Sequence, residues 1–197
     1  MRHGETEWSR TGQHTGRTDV PLLPEGREQA EAVGRLLARL VPGPVLVLTS
    51  PLRRAAETCR LAGFGEVAHP DDDLREWDYG DYEGRTSAEI RDERPGWSLW
   101  SEGVPNGESA AEVARRADRL VERARAAKGD AIFFSHGHLL RVLAARWVGL
   151  PPAGGRIVAL GPGALCALGW EREDPVVVHW NLEAALAGPA ATSGPGS

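Results

Sequence analysis

Pro44-Val45-Leu46-Val47-Leu48-Thr49-Ser50-Pro51-Leu52-Arg53-Arg54-Ala55 is a short, continuously apolar run that ends in a polar turn and then opens a helix. Runs of this kind form strands buried on both faces, as in parallel sheets. Upstream, Ala30, Val33, Leu36, Leu37 and Leu40 recur at helical spacing until Pro42-Gly43. That helix starts at Pro24, a residue suited to a first helical position, with Glu25 near the positive end. Leu23 precedes it, so no side-chain cap is expected there. Downstream, Ala131-Ile132-Phe133-Phe134 reads as a second buried strand and delivers Ser135-His136-Gly137-His138 to the start of another helix. Open α/β sheets bind ligands at the carboxyl edge of their strands. Arg53, Arg54 and His136 are therefore expected beside that edge.

The chain begins Met1-Arg2-His3-Gly4-Glu5. Neutral imidazole is nucleophilic near neutral pH, provided a neighbour fixes its tautomer and cations neutralise an incoming phosphoryl group. Arg2 supplies a cation, and Gly4 lets the backbone approach a bound anion. A lone histidine is more often a surface or satisfied core residue, so partners elsewhere decide the reading. They are Ser50-Pro51-Leu52-Arg53-Arg54-Ala55, Leu74-Arg75-Glu76-Trp77-Asp78-Tyr79-Gly80 and Ser135-His136-Gly137-His138. With these four motifs in this order, the chain resembles the histidine phosphatase superfamily, which includes phosphoglycerate mutases and many acid phosphatases.

The resemblance implies a phosphoglycerate mutase-like fold: a three-layer α/β sandwich with a mostly parallel central sheet and helices on both faces. It implies a phosphohistidine on His3, Glu76 as general acid, and Arg2, Arg54 and His136 as the clamp on the phosphoryl oxygens. It also places Thr15 and the Gly137 backbone on the phosphate and requires no metal or other cofactor. His14 and Thr15 can equally be ordinary loop residues. Glu76 has its own physical argument, since a carboxyl group shielded by Trp77 and facing a dianion can hold a proton. The plainer alternative is a surface ion pair with Arg75. His138 is expected to point away from the phosphate and line the substrate mouth. A His-x-His pair could hold a metal, but no acidic cluster accompanies it.

At 197 residues, one domain with a sizeable core is expected over 1–183. Charged residues make up 26% and the formal net charge is −5, which speaks against a sequence-independent grip on nucleic acid. Cys59 and Cys166 have no metal spacing and are too few for a disulfide framework, so a reduced, cytoplasmic setting is the default. No apolar run approaches the roughly 20 residues of a membrane span. The expected partner is a small phosphate ester, with neither nucleic acid nor membrane involved.

Residues 6–23 read as a polar loop punctuated by Gly12, Gly16 and Asp19-Val20-Pro21, and Asp71-Asp72-Asp73 as a solvated turn. Helices are expected over 85–94, from Ala110 onward and over 139–147, and strands over 157–160, 164–170 and 176–178. Trp97 and Trp100 read as core or lid packing. The Trp, Trp, Gly-Glu-Ser arrangement of Trp97, Trp100 and Gly107-Glu108-Ser109 also resembles a subgroup of sugar-bisphosphate phosphatases and broad acid phosphatases. Residues 184–197, rich in Ala, Gly, Pro and Ser, are expected to form a disordered tail. The resembling family carries an apolar strand before its catalytic tripeptide. Here that strand looks truncated, so exposed ladder groups and a gap in the core are expected.

The function expected is phosphomonoester hydrolysis, by a broad acid phosphatase or a sugar-phosphate phosphatase. Phosphoglycerate mutases carry a longer insertion between acid and second histidine, whereas about sixty residues separate Glu76 from His136 here, room for ordinary elements and short connections. A catalytically inactive phosphate-binding protein is the remaining alternative, because His3 without a rigid base could lose its geometry.

Overall fold

The computed structural model describes residues 1–41, 43 and 45–184. Strand β1 (Val45–Thr49) pairs in parallel with β2 (His69–Pro70) on one side and β3 (Asp130–Phe134) on the other. Successive strand side chains face opposite ways, and both faces are covered. Val47, Ile132 and Phe134 pack with Val33 and Leu37 of α2 (Pro24–Leu40) and Cys59 of α3 (Arg53–Leu61). Leu48 and Phe133 pack in a second cluster with Val113 and Leu120 of α6 (Ala110–Ala126) and Leu139 and Leu143 of α7 (Gly137–Trp147). One apolar cluster on each face of a parallel sheet is the three-layer α/β arrangement expected from the sequence.

The helix ends follow their residues. Leu23 makes no side-chain cap for α2, as expected. Ser109 and Glu112 cap α6 reciprocally, as do Thr86 and Glu89 for α4 (Ser87–Glu93). The short helix α5 (Leu99–Glu102) follows. Beyond α7 a 3-10 helix (Pro152–Ile157) leads to an antiparallel pair, β4 (Leu165–Glu171) and β5 (Asp174–Leu182).

Three expectations are corrected. Residues 6–23 are not all loop: α1 (Glu7–Thr11) forms there because Thr6 and Ser9 cap each other's backbone N–H. Residues 157–160 do not form a strand, since that stretch leaves the 3-10 helix as irregular chain. The aspartate run is more than a solvated turn. Asp71 pairs with Arg123 and Asp73 with Arg119, tying it to α6.

At the other edge of β3 the first residues add one rung to the sheet. Arg2 bridges Ser135 in parallel, with Ser135 N–H donating to Met1 and His3 N–H donating to Ser135. Beside that rung lies a cavity of about 620 Å³ between β3 and β4, lined by Met1, Ile132, Phe133, Leu165 and Leu168. The expected disordered tail lies, apart from Ala184, outside the described residues. Among the described residues no helix is long and apolar enough to cross a membrane.

Candidate active site

Three chain segments converge where the parallel strands end: the rung at residues 1–3, the turn after β1, and the turn from β3 into α7. His3 is buried, 5% exposed. Its Nδ1 lies 2.7 Å from the Gly4 carbonyl oxygen. A carbonyl only accepts, so Nδ1 carries the hydrogen and Nε2 carries the lone pair. Burial, then the nearby Arg54 and Arg2 guanidiniums, hold the His3 pKa well below the usual 6.5. The ring is therefore neutral at pH 7, in the tautomer a nucleophile at Nε2 requires.

Gly4 is itself fixed, its N–H donating to Thr58 Oγ1 at 3.1 Å, while that hydroxyl donates to the Arg54 carbonyl. Arg2 donates through Nη1 to the Leu160 carbonyl. Its Nε is buried and has no hydrogen-bond partner. The guanidinium lies against the first residue of α7, where a Cβ added to Gly137 would stand 3.4 Å from Arg2 Cζ and Nε. A buried donor without an acceptor beside a helix N-terminus is suited to an anion.

Arg54 is completely buried at the start of α3. Nη1 donates to the Thr18 carbonyl at 2.9 Å, and Nη2 to the carbonyls of Thr15 and Gly16, both at 3.0 Å. Nε donates to His136 Nδ1 at 3.1 Å. That nitrogen must accept, so His136 Nε2 carries the hydrogen and donates to Ser50 Oγ at 2.8 Å. Both ring nitrogens of His136 are thus engaged within the protein. Its ring centroid lies 5.2 Å from that of His3. Burial and the neighbouring cations, Arg54 foremost, keep its pKa well below 6.5 as well.

Glu76 is 8% exposed. Its Oε1 accepts from the backbone N–H of Trp77 and Leu139, both at 2.9 Å, and Oε2 from that of His138 at 3.0 Å. The residue therefore faces the N-terminus of α7. The expected shielding by the Trp77 ring gives way to that helix end, and Trp77 instead sits in the core with its indole donating to the Glu108 carbonyl. The alternative partner, Arg75, pairs with Asp72.

Thr15 lines the cavity and its hydroxyl donates to the Gln13 carbonyl at 3.1 Å. The loop around it is clamped from both sides. Arg54 takes its carbonyls, and Glu83 accepts from the N–H groups of Gly16 and Thr18. His138 lines the mouth, hydrogen-bonded through Nδ1 to Tyr79 Oη at 2.7 Å. His14 is buried in the cavity wall, against Tyr79 and Trp97, instead of being a solvated loop residue. Burial and Arg91 lower its pKa to about 4.

Arg2, His3, Thr15, Glu76 and Gly137 share one cavity of about 260 Å³. Arg54 and His136 stand behind it. Ser50, Glu83, Arg91 and Arg141 escaped the sequence reading. Ser50 alone carried a signal, its place at the carboxyl end of β1. Electrostatically the site is a set of neutral imidazoles among guanidiniums, with Glu76 as the acid opposite them. It can receive a phosphoryl dianion, attack it with nitrogen and exchange one proton.

A family model described as the histidine phosphatase superfamily (branch 1) matches residues 1–183. An acid phosphatase of Mycobacterium tuberculosis is 44% identical over 173 residues, which is 87% of this chain and 85% of that protein. Sedoheptulose 1,7-bisphosphatase of Saccharomyces cerevisiae is 38% identical over 183 residues, 76% of this chain and 66% of that protein. The solved structure of a Mycobacterium tuberculosis open reading frame superposes with a TM-score of 0.88 at 41% identity, covering 93% of this chain and 95% of that one.

Proposed function

The chain belongs to the histidine phosphatase superfamily, and as a phosphatase of that family we propose that it hydrolyses small sugar or polyol phosphomonoesters through a phosphohistidine on His3. The carrying observation is the His3 tautomer. Nδ1–H is tied to the Gly4 carbonyl, leaving Nε2 to attack, beside an Arg2 Nε that has no acceptor.

The steps balance with one carboxyl group. His3 Nε2 attacks phosphorus and the ester P–O bond breaks. The departing oxygen takes the proton of Glu76. Water then attacks the phosphohistidine, the P–N bond breaks, and Glu76 takes back a proton from that water. Arg2 and the Gly137 N–H at the start of α7 hold the nonbridging oxygens, with Thr15 at the cavity wall. Arg54 and His136 fix the loop and the rung around His3. Positioning and preorganised charge carry most phosphoryl-transfer catalysis, which suits a site braced by so many backbone carbonyls.

Residues 1–183 are taken as one catalytic domain. The two free thiols, Cys59 and Cys166, fit a reducing, cytoplasmic setting.

The test is release of inorganic phosphate from p-nitrophenyl phosphate and a panel of sugar phosphates in EDTA, with His3→Ala alongside. Turnover by the native chain and none by the variant supports the proposal. Isomerisation of phosphoglycerate, stimulated by a bisphosphate, would make the protein a mutase instead. A folded protein with neither turnover nor phosphohistidine would leave phosphate binding alone.

A further inference from the structure

The cavity that holds His3 also carries two guanidiniums that the chemistry at His3 does not use. Arg141 lies in α7, four residues after Gly137. That spacing puts both residues on one helix face about 6 Å apart along the axis. Its Cζ stands 4.7 Å from the centroid of the Trp100 ring, and its Nε donates to the Gly155 carbonyl at 3.0 Å. A face-on aromatic and a fixed carbonyl hold the fork in one orientation. Arg91, in α4, is held by one carbonyl, its Nε donating to that of Trp97 at 2.9 Å. Both line the cavity with His3 and Glu76.

Neither arginine forms an ion pair among the described residues, although most other arginines do. His14 and His138 share the wall with them, and both are held neutral at pH 7 by burial and by these same cations. Tyr79 stays protonated, its pKa raised by burial and by Glu76. The one carboxylate that opposes Arg141 is Glu76, whose oxygens already serve three backbone N–H groups. Burial lowers the pKa of Arg141 too, so its charge is partly stripped of water with no protein anion of its own. A partly desolvated Arg141 and a more exposed Arg91 on the wall of the same cavity are complementary to an anion brought by a ligand.

We propose that Arg91 and Arg141 bind a second anionic group on the substrate, a phosphate or a carboxylate, while the first phosphoryl group sits at His3. The preferred substrates are then short-chain phosphomonoesters with an anion at each end, since one helix turn and an arginine side chain separate the two positions. This assignment rests on the phosphatase reading of the same cavity.

The experiment compares two matched pairs, fructose 1,6-bisphosphate against fructose 6-phosphate and 3-phosphoglycerate against glycerol 3-phosphate. In the native chain kcat/KM favours the doubly anionic member of at least one pair by about tenfold or more, equal to about 1.4 kcal/mol. The pair that shows it says whether phosphate or carboxylate is the second anion. Arg91→Gln and Arg141→Gln each reduce that ratio several-fold, and Arg141→Lys keeps some of it. A ratio is internal to each preparation, so partial misfolding does not move it. A native ratio near one, or a ratio unchanged in both Gln variants, overturns the proposal. Calorimetric binding of the same four compounds to His3→Ala separates the two readings. Turnover without preference removes the second anion site alone. A binding preference without turnover in the native chain removes the phosphatase reading and leaves the anion site standing.

Discussion

Gly4 and Gly26 meet backbone to backbone. A methyl at Gly4 would overlap the Gly26 carbonyl, and one at Gly26 would overlap the Glu5 carbonyl. The contact seats the residues after His3 on the first turn of α2, and it is the Gly4 carbonyl that sets the His3 tautomer. Gly4→Ala must push these backbones apart, which costs about 1–3 kcal/mol as overpacking does. It also moves His3, and a shift of about 1 Å can cost about a hundredfold in rate. A urea titration and kcat on p-nitrophenyl phosphate measure both effects. Unchanged kcat in Gly4→Ala would show that this contact does not hold the nucleophile.

Glu76→Gln separates proton donation from binding. Esters with alkyl leaving groups need the proton and should lose about 10²–10⁴-fold in kcat. The p-nitrophenyl ester has a leaving group that departs without one, so its loss should be much smaller. Equal losses on both ester types would leave Glu76 as a brace for the α7 N-terminus, where it accepts from His138 and Leu139.

The tautomers are directly observable. Long-range proton–nitrogen NMR of the imidazoles should find the hydrogen on Nδ1 of His3 and on Nε2 of His136, as their carbonyl and guanidinium partners require. Because burial and then Arg54 lower the His3 pKa well below 6.5, the ring should remain neutral at pH 6.5. Protonation of His3 with a midpoint near 6.5 would contradict the electrostatic account of the nucleophile.

Those same histidines make stability depend on pH. His3, His136 and His138 have folded pKa values well below 6.5, and that of His14 is lowered to about 4. In the unfolded chain they return to about 6.5. Between the two values the unfolded state binds more protons, so stability is greatest above about pH 6.5 and falls as pH drops towards the folded values. Calorimetric Tm should be lower at pH 5 than at pH 7, and His14→Phe should flatten the difference. A Tm that is flat or rises on acidification would refute the assignment.

Much of the architecture was legible because its signals are local. The apolar runs at 45–49 and 131–134 needed only their immediate composition to be read as buried strands, and α2 only its spacing. The α1 helix escaped because its capping pair, Thr6 with Ser9, spans barely one turn. Arg91 and Arg141 escaped for another reason. In sequence they are ordinary helical arginines, and what distinguishes them is a place in the cavity wall without an ion-pair partner.

The sequence by itself determined the layered α/β class, the strand ends that carry the chemistry, and the identities of His3, Arg2, Arg54, Glu76 and His136 as the candidate set. Periodicity, turn residues and motif order carry that information along the chain. Only the tertiary structure decided which nitrogen of each histidine holds the hydrogen and which guanidiniums keep an unused donor. Those depend on the carbonyls of Gly4, Thr15, Gly16, Thr18 and Leu160, most of them far along the chain from the side chains they accept from. A buried hydrogen bond is set by where the folded backbone turns its acceptors, and no local pattern encodes that direction.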